Sequence, residues 1–296
     1  MKRRYRTYTE LEGADRSGLP DQIAAQRERV DRRLSRVERT VAIMSGKGGV
    51  GKSMISAALA TALQADGDRA GLLDADLHGP TAARMCGVKP MPLAVADGAV
   101  RPATGVDGVA VMSMDLLLAE GAPLAWRGPE TDGFVWEASE ERRALREFLS
   151  DVEWGPLGWL IIDLPPGTRR MLDLFELVPE LTGVVAVTLP AGAARSSVDR
   201  ALGLARQRGI PILGIVENMV GYRCPQCDDL RPLFPGDGGR ELADSHGAPL
   251  LGRIPFDPDA AQLADGGSLA ELLEATHCGQ ALRAVVESLK SEVESP

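Results

Sequence analysis

The chain has 296 residues, a formal net charge of −9, 44% hydrophobic and 25% charged residues, enough to bury a core without staples in one large domain or two small ones. Aromatics at 4% argue against a base-stacking platform, four cysteines are too few for a disulfide framework, and no apolar run of about 18 residues offers a membrane span. The first 40 residues hold eleven Lys/Arg against seven Asp/Glu, so the rest carries −13, a charge opposed to nonspecific DNA binding.

In chain order, the basic start lacks the apolar stretch of a secretory signal, so the expected compartment is the reducing cytoplasm, with no membrane and no nucleic acid as partner. Residues 1–20, with Gly13, Gly18 and Pro20, read as irregular. Ile23, Val30, Leu34 and Val37 recur along one face of a charged helix over 21–38, suited to docking on the domain or on a second subunit. Short apolar strands are predicted at 41–45, 70–74, 109–114, 159–162, 184–188, 212–216 and 250–254. Helices are predicted at 53–65, 140–149, 170–178, 196–208, 241–246 and 279–293. Residues 78–108 and 118–138 are Pro/Gly-rich excursions. This alternation predicts an α/β fold, a mostly parallel doubly wound sheet with helices on both faces and ligands at the carboxyl ends of its strands.

The motifs fall at those ends. Gly46-Lys-Gly-Gly-Val-Gly-Lys-Ser53 fits the phosphate-loop pattern G-x-x-x-x-G-K-[ST] between a strand and a helix. Gly46, Lys47, Gly48, Gly49, Val50, Gly51, Lys52, Ser53 and Met54 are therefore the expected ATP-binding stretch. Lys52 would reach the β/γ-phosphates and the Ser53 hydroxyl would ligate Mg²⁺. Asp74 and Asp76 share one face at the end of the second strand, either to position water around Mg²⁺ or to form an Asx turn. His78 reads as a loop residue. Leu160-Ile-Ile-Asp163 is an apolar strand ending in the acid of a Walker B motif, so Asp163 is the second Mg²⁺ residue. The isolated Cys86 and Cys278 read as small buried hydrophobes.

The phosphate loop as a whole resembles the deviant Walker A of the MinD, ParA, ArsA and nitrogenase iron-protein ATPases. Asp74-Ala-Asp-Leu-His-Gly-Pro80, Ala125-Trp-Arg-Gly-Pro129, Trp154-Gly, Leu160-Ile-Ile-Asp-Leu-Pro-Pro-Gly-Thr168, Gly214-Ile-Val-Glu-Asn-Met219, Cys224-Pro-Gln-Cys227, Phe234-Pro-Gly-Asp-Gly-Gly239 and Leu250-Leu-Gly-Arg-Ile-Pro255 resemble the Mrp/ApbC/Nbp35-like branch, over roughly residues 38–290. That resemblance implies an iron–sulfur cluster carrier with a P-loop ATPase domain over 39–296 behind a charged segment, 1–38, in place of the branch's usual accessory domain. It implies that Lys47 reaches across a homodimer to the partner's nucleotide and that Lys47, Lys52 and Asp76 carry slow hydrolysis. Asp76 would orient the attacking water, with Asp74 supporting the site. It further implies that the Gly167 N–H approaches the γ-phosphate, that Asn218 meets the adenine edge, and that Pro255 and Phe256 line the base.

Cys224 and Cys227 form a C-x-x-C pair. Pro225 between them, in a loop after a strand, disfavours redox chemistry. A 4Fe-4S cluster or a structural zinc takes four ligands, and one chain offers two. Two chains across a two-fold axis supply four, so the expected cargo is a 4Fe-4S cluster bridging two subunits and passed to apo iron–sulfur acceptor proteins. Intersubunit zinc and a vestigial pair remain as alternatives. So do a ParA/MinD-like positioning switch, which the C-x-x-C pair and the acidic tail disfavour, and a zinc-stapled ATP sensor acting through the N-terminal helix. The chain departs from the branch at Arg169-Arg170, where Gly-Asp is usual, at Gly158, where Asp is usual, and at Leu189-Pro-Ala191, where Thr-Pro-Gln is usual.

Overall fold

The computed structural model describes residues 19–77, 79–89, 93–96, 98–117, 133–224, 226–227 and 229–294, and within these the side chains of all but 19–23, 133–140, 193 and 194. His78, Pro225 and the Trp-Arg-Gly-Pro element at 126–129 lie outside the described residues.

The chain runs α1 (Leu19–Leu34), β1 (Val37–Ser45), α2 (Lys52–Ala65), β2 (Ala70–Asp74), α3 (Ala82–Met85), then short strands β3 (Val95–Ala96), β4 (Ala99–Val100) and β5 (Ala103–Thr104), and β6 (Ala110–Ser113). It continues with α4 (Gly133–Asp151), β7 (Leu157–Asp163), α5 (Arg169–Leu177), β8 (Gly183–Thr188), α6 (Gly192–Gln207), β9 (Ile212–Arg223), β10 (Leu230–Arg231) and α7 (Gly238–His246). It closes with β11 (Leu250–Phe256), α8 (Pro258–Asp265), α9 (Leu269–Ala275) and α10 (His277–Glu294).

The main sheet has the order β10-β9-β8-β1-β7-β2-β6-β5, with β11 on the other side of β9. From β11 to β6 every pairing is parallel, and the short β5 and β10 are antiparallel to their neighbours. Successive residues of β1 and β7 point to opposite faces, yet both faces are dry. Val41, Ile43, Trp159 and Ile161 join α2, α9 and α10 in one core, while Ala42, Met44, Leu160 and Ile162 join α4, α5 and α6 in the other. Burial on both faces explains the continuous apolar strand runs.

Several element bounds differ from the sequence reading. The N-terminal helix stops at Leu34 instead of 38, because Val37 and Arg39 pair with Leu157 and Trp159 as the start of β1. Helix α1 lies on α4: Val30 is buried there, and the Arg146 guanidinium donates to Gln26 Oε1 at 3.2 Å. Strand β9 extends to Arg223, held beyond the end of β8 by β10 and by Phe256 of β11. Helices α8 and α9 are short, and Gly266-Gly267 between them hid their periodicity. The Asp257 carboxylate caps α8 by accepting from the N–H of Asp259 at 3.0 Å. Among the described residues no helix is long and apolar enough to cross a membrane.

Candidate functional site

The loop after β1 carries Gly49 and Gly51 at φ of 78° and 81°, a left-handed backbone that glycine adopts at little cost. It turns the chain so that the N-terminus of α2 faces the carboxyl end of the sheet. Lys52 opens that helix and is buried; its Nζ donates to Asp163 Oδ1 at 2.6 Å. Ser56, one turn later, donates to the same oxygen at 2.7 Å. The register explains the meeting: Ile43 of β1 and Asp74 of β2 both stand level with Asp163 on β7. Ser56 was missed from the sequence, although its i+4 spacing from Lys52 places it on the same helix face.

Asp163 is fully buried and its Oδ2 has no hydrogen-bond partner. A buried carboxylate oxygen without a donor fits a hard cation, and Ser53 supplies a hydroxyl beside Lys52 at the start of α2. These two residues would hold Mg²⁺.

Asp74 is also buried. Its Oδ2 accepts from the N–H groups of Thr81 and Ala82, each at 3.0 Å, and from the Ser113 hydroxyl at 3.3 Å, while Oδ1 accepts from the Asp76 N–H at 3.1 Å. It thereby holds the backbones of Asp76, Thr81 and Ala82 at the end of β2. Burial and the neighbouring Asp163 charge raise its pKa to about 7, against the pull of its backbone donors and of Lys52. Asp76 accepts from the Gly79 N–H at 3.3 Å, so both carboxylates also make the local turns that the Asx reading anticipates.

The segment after β7 returns along the phosphate loop. The Gly167 N–H donates to Ser45 O at 3.0 Å, so here it points to the protein backbone and not outward to a phosphate position. Arg170 pairs with Glu141 of α4 and with Asp173 at 2.8 Å. Gly158 also has a physical reason: a Cβ there would stand 2.2 Å from the Asp68 carbonyl oxygen. Lys47 is exposed and makes no ion pair among the described residues.

Asn218, buried near the middle of β9, donates from Nδ2 to Val50 O at 2.8 Å. Gly51 is needed beneath it, since a Cβ would meet that Nδ2 at 2.3 Å. Next to this contact lies a cavity of about 200 Å³ lined by Gly51, Met54, Met85, Asn218, Pro255 and Phe256, among others. This largely apolar cleft beside the phosphate loop brings together Met54, Asn218, Pro255 and Phe256. Glu217, just before Asn218, was missed: it is fully buried and accepts from Gly239 N at 2.8 Å and Arg253 Nε at 2.7 Å. That clamp ties segment 236–239 to β9 and β11.

The same strand β9 leads to the cysteine pair. Cys224 follows its last residue, its N–H donating to Asp229 O at 2.9 Å, and Cys227 is exposed at the turn toward β10. The N–H groups of Gln226 and Cys227, then the Cys227 side chain, lower the Cys224 pKa. A thiolate-favouring turn is what a metal-binding pair requires. Among the described residues no group of three or more His, Cys, Asp or Glu could hold a metal ion. Cys86 and Cys278 are buried, and burial pushes both thiols up to about 12.

The family of ParA-type NUBPL iron-transfer P-loop NTPases matches residues 36–290. The chain belongs to this family. It is 36% identical over 274 residues to an iron–sulfur cluster carrier protein of Methanocaldococcus jannaschii, covering 92% of this chain and 91% of that one. It is 37% identical to a cytosolic Fe-S cluster assembly factor Nubp2 homolog of Drosophila grimshawi, covering 86% and 96%. A nucleotide-binding protein of Archaeoglobus fulgidus in complex with ADP superposes with a TM-score of 0.71 at 34% identity, over 83% of this chain and 93% of that chain. MinD of Pyrococcus horikoshii, with Mg-ADP, shares the fold at 20% identity, over 84% and 94% of the two chains, with a TM-score of 0.57. The protein is thus a P-loop ATPase with the family's role in carrying iron–sulfur clusters.

Proposed function

We propose that two copies of this chain bind Mg-ATP, hold one 4Fe-4S cluster between their Cys224 and Cys227 pairs, and pass it to apo iron–sulfur proteins. The observation that carries this reading is the turn between β9 and β10: two accessible thiols, one with its thiolate favoured by backbone N–H groups, on a half-site of two ligands. A second copy completes the four ligands. The Archaeoglobus fulgidus protein, in complex with ADP, supports nucleotide in the Gly46–Ser53 loop of this chain. On this reading Lys52 and Ser53 hold the phosphates and Mg²⁺ with Asp163, Asp76 orients water, and Lys47 reaches the partner's nucleotide. Asn218 meets the base with its side-chain amide, which one of its two Nδ2 hydrogens anchors to Val50 O. The word cytosolic in the relatives' names supports a cytoplasmic location.

The test is anaerobic reconstitution followed by iron, sulfide and zinc analysis, with the Cys224→Ala/Cys227→Ala variant in parallel. The expected result is about two irons and two sulfides per chain, both lost in the variant. Zinc at about half per chain, or no metal, would overturn the cluster reading and favour an ATP-driven switch with a zinc or vestigial pair.

A further inference from the structure

The loop 164–168 lies beside the end of β1 and meets the phosphate loop at Gly48. Leu164 N–H donates to Ile43 O at 3.1 Å and Gly167 N–H to Ser45 O at 3.0 Å, and a Cβ on Gly48 would lie 3.9 Å from Pro166 Cγ. Gly167 has a φ of 96°, a backbone that lets a glycine swing its peptide at little cost. Helix α5 follows directly. Its second residue, Arg170, is 11% exposed and is paired with Glu141 of α4 and with Asp173. Arg142, next to Glu141, holds Asp173 at 3.5 Å and Glu176 at 2.5 Å. Two residues of α4 thus grip three residues of α5.

From this geometry we infer that the Arg170–Glu141 pair is a brake on turnover: it pins α5 to α4 and so holds the Gly167 N–H on Ser45 O, away from the γ-phosphate. The inference rests on the reading that the site hydrolyses ATP. The γ-phosphate recruits neighbouring loops through backbone donors. Gly167 can answer only by leaving Ser45 O, and Arg170 lies three residues further on. A shift of α5 would separate two largely buried opposite charges, which the low local dielectric opposes. Arg170 is a positioning residue: it acts through the loop and touches no nucleotide.

Lys52-dependent phosphate release from Mg-ATP tests this on the full chain. An Arg170→Met/Glu141→Met double variant removes both charges together and leaves apolar bulk in their place. It should raise kcat about fivefold or more with the KM for ATP nearly unchanged, because a conformational step limits the rate. Arg170→Lys should stay near the wild-type rate. Glu141→Gln, a milder change, should give a smaller rise and guards against a double variant that fails to fold. Release from the wild type with an unchanged or lower kcat in a folded double or Glu141→Gln variant overturns the brake alone. No Lys52-dependent release from any of these proteins removes the hydrolysis reading and the brake with it.

Discussion

Asp163 gathers the chemistry of the site at the scale of single residues. It sits fully buried, with Lys52 as its ion-pair partner, Ser56 donating to the same oxygen and Asp74 level with it on the next strand. Lys52→Ala should therefore abolish phosphate release and also destabilise the fold by about 3–5 kcal/mol in urea titrations, since it strands a buried charge. A loss below about 1 kcal/mol would mean that Asp163 does not need this partner. Asp74 makes a different prediction. The folded chain keeps its proton up to about pH 7, whereas the unfolded chain releases it near 3.8. The unfolded state thus binds fewer protons between these values, and stability falls as pH rises through them. Relative to Asp74→Asn, the wild type should lose unfolding free energy from pH 3.8 to about 7 without Mg²⁺; parallel pH curves for the two proteins would contradict this. Lys52, Ser53, Asp74 and Asp163 were all legible in the sequence, because a phosphate loop and a Walker B strand leave local patterns. Glu217 was not, since nothing near it announces Arg253 or Gly239 as partners.

The secondary-structure elements place these residues where they can act. Strand β9 carries Asn218 at the phosphate loop and ends one residue before Cys224, so a single extended segment joins the base cleft to the thiol pair. The sequence suggested a strand over 212–216 only, because the apolar run ends there at Glu217 and Asn218, and the strand state beyond depends on β10 and β11. The turn between β2 and α2 is as specific. Gly158 donates to the carbonyls of Asp68 and Arg69 at 3.1 and 3.0 Å, and the Asp68 oxygen occupies the space of a Cβ. Gly158→Asp should destabilise the chain by about 1–3 kcal/mol in urea or thermal unfolding, the range for forced overpacking. A neutral result would mean that the Asp68 turn moves aside freely.

At the scale of the whole molecule, a parallel sheet dry on both faces brings the ends of β1, β2 and β7 to one edge. Lys47 lies exposed on the phosphate loop at that edge and has no ion-pair partner among the described residues. The proposed two-fold assembly gives it one. Sedimentation with Mg-ATP should show a dimer that Lys47→Ala weakens, while nucleotide binding by each chain persists. Equal dimerisation of wild type and variant would remove Lys47 from the interface.

The sequence alone determined the doubly wound fold class, the phosphate loop, the acids behind it and the C-x-x-C pair. Each of these is written in contiguous residues, through glycine conformations, strand burial or the spacing of two thiols. The tertiary structure decided what those residues touch: Ser56 on Asp163, Asn218 on Val50 O, Gly167 on Ser45 O, and Arg170 on Glu141. All four contacts join different elements of the sheet and its helix layers. They depend on strand order and helix packing, which set distances between residues far apart in the chain and leave no local mark in the sequence.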